Sequence, residues 1–212
     1  MNFETLNTKH AIQVLSTGLK ALSTEEILLF PEEEIQLQSL QNDKRKNEFL
    51  GARKLRNQLL INSSIGYNEV GKPYLTSLGQ TSISITHTKD LVAIAVAPFE
   101  IGIDVEIAHE RIHKVIDKFA TDHEKNLYKL GYFNLTEWYT FIWCAKEAIY
   151  KVGQVKGLSF KEEIFIEKIT LEGNNFLQLT AAIKTKKNLE RTIAVYCIKS
   201  ENYLFTVAQF KD

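Results

Sequence analysis

A strict alternation of aliphatic and other residues runs through Ile101-Gly102-Ile103-Asp104-Val105-Glu106-Ile107. Residues two apart share a face of a β-strand. The pattern therefore predicts a strand with one aliphatic, core-facing side and an opposite side bearing two carboxylates a few ångströms apart. Ser82–His87 also alternates, which places Ile83, Ile85 and His87 on one face, and the nearly all-apolar Leu91–Ala97 reads as a buried strand. The tail is a strand series. Glu163–Leu171 and Phe176–Ile183 flank a hairpin turn at Glu172-Gly173-Asn174-Asn175, and Thr192–Lys199 and Tyr203–Phe210 flank Ser200-Glu201-Asn202.

Helical spacing appears elsewhere. Ser23-Thr24-Glu25-Glu26 fits a capping box that opens a short helix through Phe30. Pro31 followed by three glutamates reads as a second helix start. A longer helix is predicted from about Asp43 to Ile61, with Phe49, Ala52, Leu55 and Leu59 inside. Lys44, Arg45, Lys46, Arg53, Lys54 and Arg56 fall on its outer faces and edges. His113–Lys129 reads as helix. Asn134–Val152 carries the strongest stripe, made of Leu135, Trp138, Ile142, Ala145, Ile149 and Val152. Glu147 and Lys151 are four apart, on the side away from that stripe. The fold class is α+β: two halves, residues 1–99 and 100–212, each with helices on an antiparallel sheet.

The length, 212 residues, suits one large domain or two small ones, and the composition is that of a globular protein. Lys plus Arg equals Asp plus Glu, so no global field draws the chain to nucleic acid or to a membrane. Cys144 and Cys197 lack metal-ligand spacing and read as small buried hydrophobes in a reducing compartment. No apolar run approaches the ~20 residues of a membrane span. The N-terminus shows no basic start followed by an apolar stretch, so a signal peptide is not expected and a cytoplasmic protein is.

Asp104 and Glu106 repel each other unless a positive charge sits between them. With Glu147 they form an oxygen-only donor set, which favours magnesium or manganese over zinc. Magnesium commonly takes one or two carboxylates plus substrate phosphates, so a phosphate-bearing substrate is expected. Lys151 supplies a compact charge for an oxyanion, and Arg53, Lys72 and His87 are candidates for further phosphates. Taken singly, each feature has an ordinary explanation: a solvated strand face, a helix ion pair, a strand histidine.

The ordered set is more specific. Gly71-Lys72-Pro73, Ile83-Ser84-Ile85-Thr86-His87-Thr88, Gly102-Ile103-Asp104-Val105-Glu106 and Trp143-x-x-Lys146-Glu147-Ala148-x-x-Lys151 resemble the 4′-phosphopantetheinyl transferases of the larger, surfactin-synthetase-activating type. Phe119-Ala120-Thr121-Asp122-His123-Glu124 and Gly153-x-x-x-Gly157-Leu158-Ser159-Phe160 fit further segments of that family, and the resemblance covers about residues 45–160. Thr86-His87-Thr88 stands where the family usually has Ser-His-Ser, which keeps a hydroxyl on each side.

The resemblance implies a pseudo-dimeric fold, coenzyme A as substrate and an apo acyl or peptidyl carrier protein as acceptor, with no nucleic acid or membrane partner and a monomeric enzyme. It also implies that Asp104, Glu106 and Glu147 bind Mg²⁺, and that Lys151 steadies phosphate or protonates the leaving group. Arg45, Arg53, Lys72, His87 and Lys151 would hold coenzyme A, and Glu147 would be the base that accepts the serine proton. The carrier is expected to be acidic near its serine. Two rivals remain at this stage. One is a metal-dependent nuclease, against which Ala108 stands where that class places a lysine. The other is a catalytically inactive homologue that binds coenzyme A or a carrier.

Overall fold

The computed structural model describes residues 11–19, 22, 24–128, 133–154, 157–171, 176–185 and 190–211. Two compact units, Met1–Phe99 and Glu100–Asp212, each combine helix with antiparallel sheet. The α+β class therefore holds.

The first unit contains β1 (Gln13–Gly18), α1 (Pro31–Ser39), α2 (Asp43–Gln58), β2 (Ile65–Tyr67), β3 (Pro73–Leu75), β4 (Ser82–His87) and β5 (Leu91–Ala97). β5 is the middle strand of the antiparallel sheet β1-β5-β4, and all seven of its residues are buried. That position explains its unbroken apolar run. Ala52 and Leu55 of α2 close over Val92 and Ile94 of β5. Gly51 permits the approach, since a Cβ there would lie 2.5 Å from Val92 Cγ1. β2 and β3 form a separate two-stranded ladder.

Two sequence expectations are corrected in this unit. The expected helix through Phe30 shrinks to a 3₁₀ turn at Thr24–Glu26, and Ser23 lies outside the described residues. Phe30 is extended (φ −85°, ψ 156°), as the residue before a proline prefers. The second correction concerns Arg53 and Arg56. They do not sit on an outer face of α2; both are fully buried, as is Glu33 of α1. Arg56 Nη1 donates to both Glu33 oxygens at 2.7 and 2.6 Å, and Arg53 Nε donates to Glu33 Oε1 at 3.2 Å. Arg53 Nη2 reaches the Ile65 carbonyl at 3.2 Å, while the Ile65 and Phe30 N–H groups donate back to Glu33. The Arg53 guanidinium lies 3.5 Å from the centre of the Phe49 ring. Helical periodicity assigns a charge to the outside by default. The carboxylate of Glu33, twenty residues from Arg53 in sequence, reverses that choice.

The second unit contains β6 (Ile101–Glu106), α3 (Asp122–Asn126), α4 (Leu135–Gly153), β7 (Ile164–Leu171), β8 (Phe176–Lys184), β9 (Glu190–Lys199) and β10 (Leu204–Phe210). Its sheet runs β6-β10-β9-β8-β7, antiparallel throughout. Trp138, Phe141, Ile142, Ala145, Ile149 and Val152 of α4 are buried against Leu177, Val195 and Leu204 of the sheet. Leu135, placed in that stripe by its spacing, is 41% exposed. The expected helix at 113–129 is not continuous. It breaks into 3₁₀ turns at Glu110–Lys114 and Ile116–Lys118, followed by α3. Thr121 starts α3 afresh: its hydroxyl accepts from the Glu124 N–H, and the Glu124 carboxylate accepts from the Thr121 N–H at 2.7 Å. Lys129 and the turn at 172–175 lie outside the described residues.

Removing one member of a buried ion cluster strands the others without a counter-charge. Glu33→Ala is expected to cost about 3–5 kcal/mol in urea unfolding, and Arg53→Ala a comparable amount. An Arg53→Ala protein as stable as its parent would show that this cluster does not bind α1 to α2.

Candidate active site

β6 and α4 carry the acidic residues, and a missing side chain sets their separation. A Cβ on Gly102 would lie 2.0 Å from the Ala148 carbonyl oxygen, 2.8 Å from the Val152 nitrogen and 3.0 Å from Lys151 Cβ. The strand therefore touches the helix backbone, which only glycine permits at this spacing. Gly102, Asp104 and Glu106 share the strand face turned toward α4, and Asp104 is only 6% exposed. Ile101, Ile103 and Val105 on the other face are buried as well, whereas Ile107, one residue past the strand, is exposed. The carboxylate side of the strand is thus covered by helix.

The rotation of α4 is held from its far side. Lys146, wholly buried, donates to the carbonyls of Phe119, Phe160 and Ile164 at 2.7–2.8 Å and to Glu124 Oε2 at 2.8 Å. Glu124 also accepts from the Ile166 N–H at 2.9 Å. Burial lowers the Lys146 pKa, and the Glu124 charge opposes that fall. Glu147, the next residue, feels the charge of Asp104. Asn134 caps the start of the helix by accepting from the Glu137 N–H at 2.9 Å.

Lys151 Nζ donates to Asp104 Oδ1 at 2.9 Å and to the Ile103 carbonyl at 2.8 Å. Trp143 Nε1 donates to Glu106 Oε1 at 3.1 Å, and its ring packs against Phe119 and Phe160. Burial, followed by the charge of Asp104, raises the Glu106 carboxyl to about 7. The Trp143 bond and Lys151 oppose that rise, and Glu147 adds to it. Glu147 is also raised, by burial first and then by Asp104, with Lys151 opposing. The three acids therefore sense one another.

Their chemistry suits a hard divalent cation: oxygen donors only, mutual repulsion, and partial burial. Their present spacing does not enclose one. Among the described residues no three His, Cys, Asp or Glu side chains are grouped to hold an ion. The Lys151 ammonium lies 2.9 Å from Asp104 Oδ1.

In the first unit, Arg45 and His87 meet across 42 residues of sequence, with Arg45 Nη1 3.5 Å from His87 Nε2. Both touch the buried carboxylate of Glu48: Arg45 at 3.0 Å and His87 Nδ1 at 3.4 Å. The Lys72 N–H donates to Asn68 Oδ1 at 2.8 Å in the turn before β3, where Gly71 adopts φ +80°. Arg53, grouped with these residues by sequence, is enclosed by Glu33 and Ile65 and presents no surface to a ligand. From sequence Trp143 reads as packing at the helix edge, and Glu124 and Glu48 carry no role. The only signal for them is their position inside motif segments or a charged helix.

Comparison with protein-family models matches residues 100–208 to the 4′-phosphopantetheinyl transferase superfamily. This chain belongs to that superfamily. Comparison with curated proteins found no match. The matched span takes in Asp104, Glu106, Glu124, Trp143, Lys146, Glu147 and Lys151. Phosphopantetheine transfer from coenzyme A is the general chemistry of the superfamily. No helix among the described residues is long and apolar enough to cross a membrane. In this transferase both cysteines are buried and free, and burial pushes both thiols up, Cys144 with a further push from Asp104. Neither is presented as a nucleophile.

Two outcomes follow from this geometry. Gly102→Ala is expected to destabilise the fold by about 1–3 kcal/mol or more, because backbone rather than a flexible side chain obstructs the new methyl. The second outcome concerns Glu106. The folded chain keeps its proton up to about pH 7, while the unfolded chain releases it near the ordinary 4.5. Between those values the folded state binds more protons, so this carboxyl's contribution to stability falls as pH rises from 4.5 to 7 and stays low above that. In chelator-treated buffer Glu106→Gln, which keeps an acceptor for Trp143, should melt higher than the parent at pH 8 and lose part of the slope between pH 5 and 7. Identical melting curves across that range would mean that neither burial nor Asp104 raises the Glu106 carboxyl.

Proposed function

We propose that this transferase moves the 4′-phosphopantetheine arm of coenzyme A to a serine hydroxyl of an apo acyl or peptidyl carrier protein, with Mg²⁺ as cofactor. The observation that carries the reading is the convergence of Asp104, Glu106, Glu147 and Lys151 at the β6–α4 contact, inside the segment matched to the superfamily. The resemblance to the larger, surfactin-synthetase-activating type adds a cytoplasmic, monomeric enzyme to the proposal.

Asp104, Glu106 and Glu147 are the residues that would hold Mg²⁺. When bound, the ion supplies positive charge to the diphosphate of coenzyme A. The remaining steps belong to side chains. Glu147, raised above the ordinary carboxylate range by burial and by Asp104, is suited to accept the serine proton. The serine oxygen then bonds to the phosphorus that bears the pantetheine arm, and the bond from that phosphorus to the bridging oxygen breaks. Adenosine 3′,5′-bisphosphate leaves with that electron pair. The Lys151 ammonium offsets the charge gathering there or donates a proton to it. Trp143 orients Glu106 through one oxygen and leaves the other available.

Arg45, His87 and Lys72 are proposed to bind the phosphates of coenzyme A. Arg45 and His87 support this by their contact over Glu48, which aims two donors at one place. Arg53 is left out because it is fully buried.

The test mixes the protein with coenzyme A, Mg²⁺ and a panel of apo carrier proteins, and reads the carrier's mass. A gain equal to the phosphopantetheine arm is expected. Asp104→Ala and Glu147→Ala should each lose at least about a hundredfold in kcat while remaining folded. Full activity of both variants would remove the acids from the chemistry, and no mass gain on any carrier would sink the reading.

A further inference from the structure

One acid of the site, Asp104, already has a cation in contact with it. Lys151 Nζ reaches Asp104 Oδ1 and the Ile103 carbonyl, both on β6, from a position one helical turn beyond Glu147. Its side chain is 30% exposed, whereas that of Asp104 is 8% exposed. The charged end therefore lies against a buried carboxylate while the side chain as a whole keeps access to solvent. An ammonium is a point charge on a flexible four-carbon stem, so it can take up or leave a cation position without any backbone movement. The backbone here has little freedom, because Gly102 rests on the Ala148 carbonyl and Lys146 is anchored by three other carbonyls. Side-chain rotation is the degree of freedom that remains.

We infer that Lys151 is the site's internal counter-ion. It holds Asp104 while no divalent cation is present, competes with that cation for the same carboxylate, and is released toward the anionic substrate when the cation binds. The inference rests on the proposed metal role of Asp104, Glu106 and Glu147. It is also consistent with the absence, among the described residues, of three acids grouped around an ion position while the ammonium sits on Asp104. Glu106 and Glu147 both feel the Lys151 charge, so its departure raises their mutual repulsion and favours occupation by a stronger cation. Cation and diphosphate binding are thereby linked. Each is easier once Lys151 has left Asp104, and by reciprocity each favours the other.

Binding of Mn²⁺ alone tests this without turnover. The free ion is followed by its paramagnetic signal in the parent, Lys151→Met, Asp104→Asn and the double variant, at about 0.5 M salt so that the longer-range field of the lysine is screened. Lys151→Met is expected to bind Mn²⁺ at least about fivefold more tightly than the parent, and Asp104→Asn to abolish the gain. In the parent, labelling of Lys151 by an amine reagent, mapped by mass spectrometry, should accelerate when Mg²⁺ is added. Binding that depends on Asp104 but is equal in the parent and Lys151→Met, with unchanged labelling, overturns the counter-ion role alone. Binding that is indifferent to Asp104 in every background overturns the metal assignment and the counter-ion role together.

Discussion

The second unit is organised around a contact between two backbones. Most helix-on-sheet packing is spaced by side chains, which leaves room for rotamers and slack. Here Gly102 removes the spacer, and the strand rests on the peptide groups of Ala148 and Val152. With the strand this close, side chains two and four residues along it share one volume with those projecting from the helix. The acidic site is therefore a by-product of a packing distance. A site built on regular elements in hard contact keeps its geometry better than one built on loops.

Close approach alone leaves the helix free to roll, and the Lys146–Glu124 pair prevents that. Its burial is expensive in isolation, since both ions leave water. The cost is offset because Lys146 meets three carbonyls besides the carboxylate, and Glu124 also caps α3 and receives the Ile166 N–H. Around the neighbouring residue the electrostatics run the other way. Asp104, Glu106 and Glu147 are held together in partial burial, against the Lys151 ammonium. One side of α4 is electrostatically satisfied and the adjacent side is strained. A well-satisfied anchor beside a strained cluster is a reasonable division of labour for a site proposed to bind charge.

The readability of the sequence varied with the kind of interaction. Alternation and stripes located β4–β6 and α4 to within a residue or two, because burial of one face is written directly in the order of residues. The motif order singled out Asp104, Glu106, Glu147 and Lys151, which lie near one another where β6 meets α4. Arg53 and Arg56 were misplaced because periodicity sees only their own helix, while their burial depends on Glu33 from a different one. The segment at 113–129 had helical spacing, yet Thr121 and Glu124 form a local cap that ends one run and starts another. The Trp143 bond to Glu106 was invisible for a related reason: it spans 37 residues and involves the polar edge of a side chain that reads as apolar.

The two buried ion clusters have a shared property. Glu33 reaches Arg53 and Arg56 over twenty and 23 residues, and Glu124 reaches Lys146 over 22. Each knot closes a short chain segment inside one unit. A helix that slid by one position during assembly would carry a bare charge into an apolar interior. The clusters thus penalise a wrong alignment of each helix, because a misplaced charge would be buried without its partner.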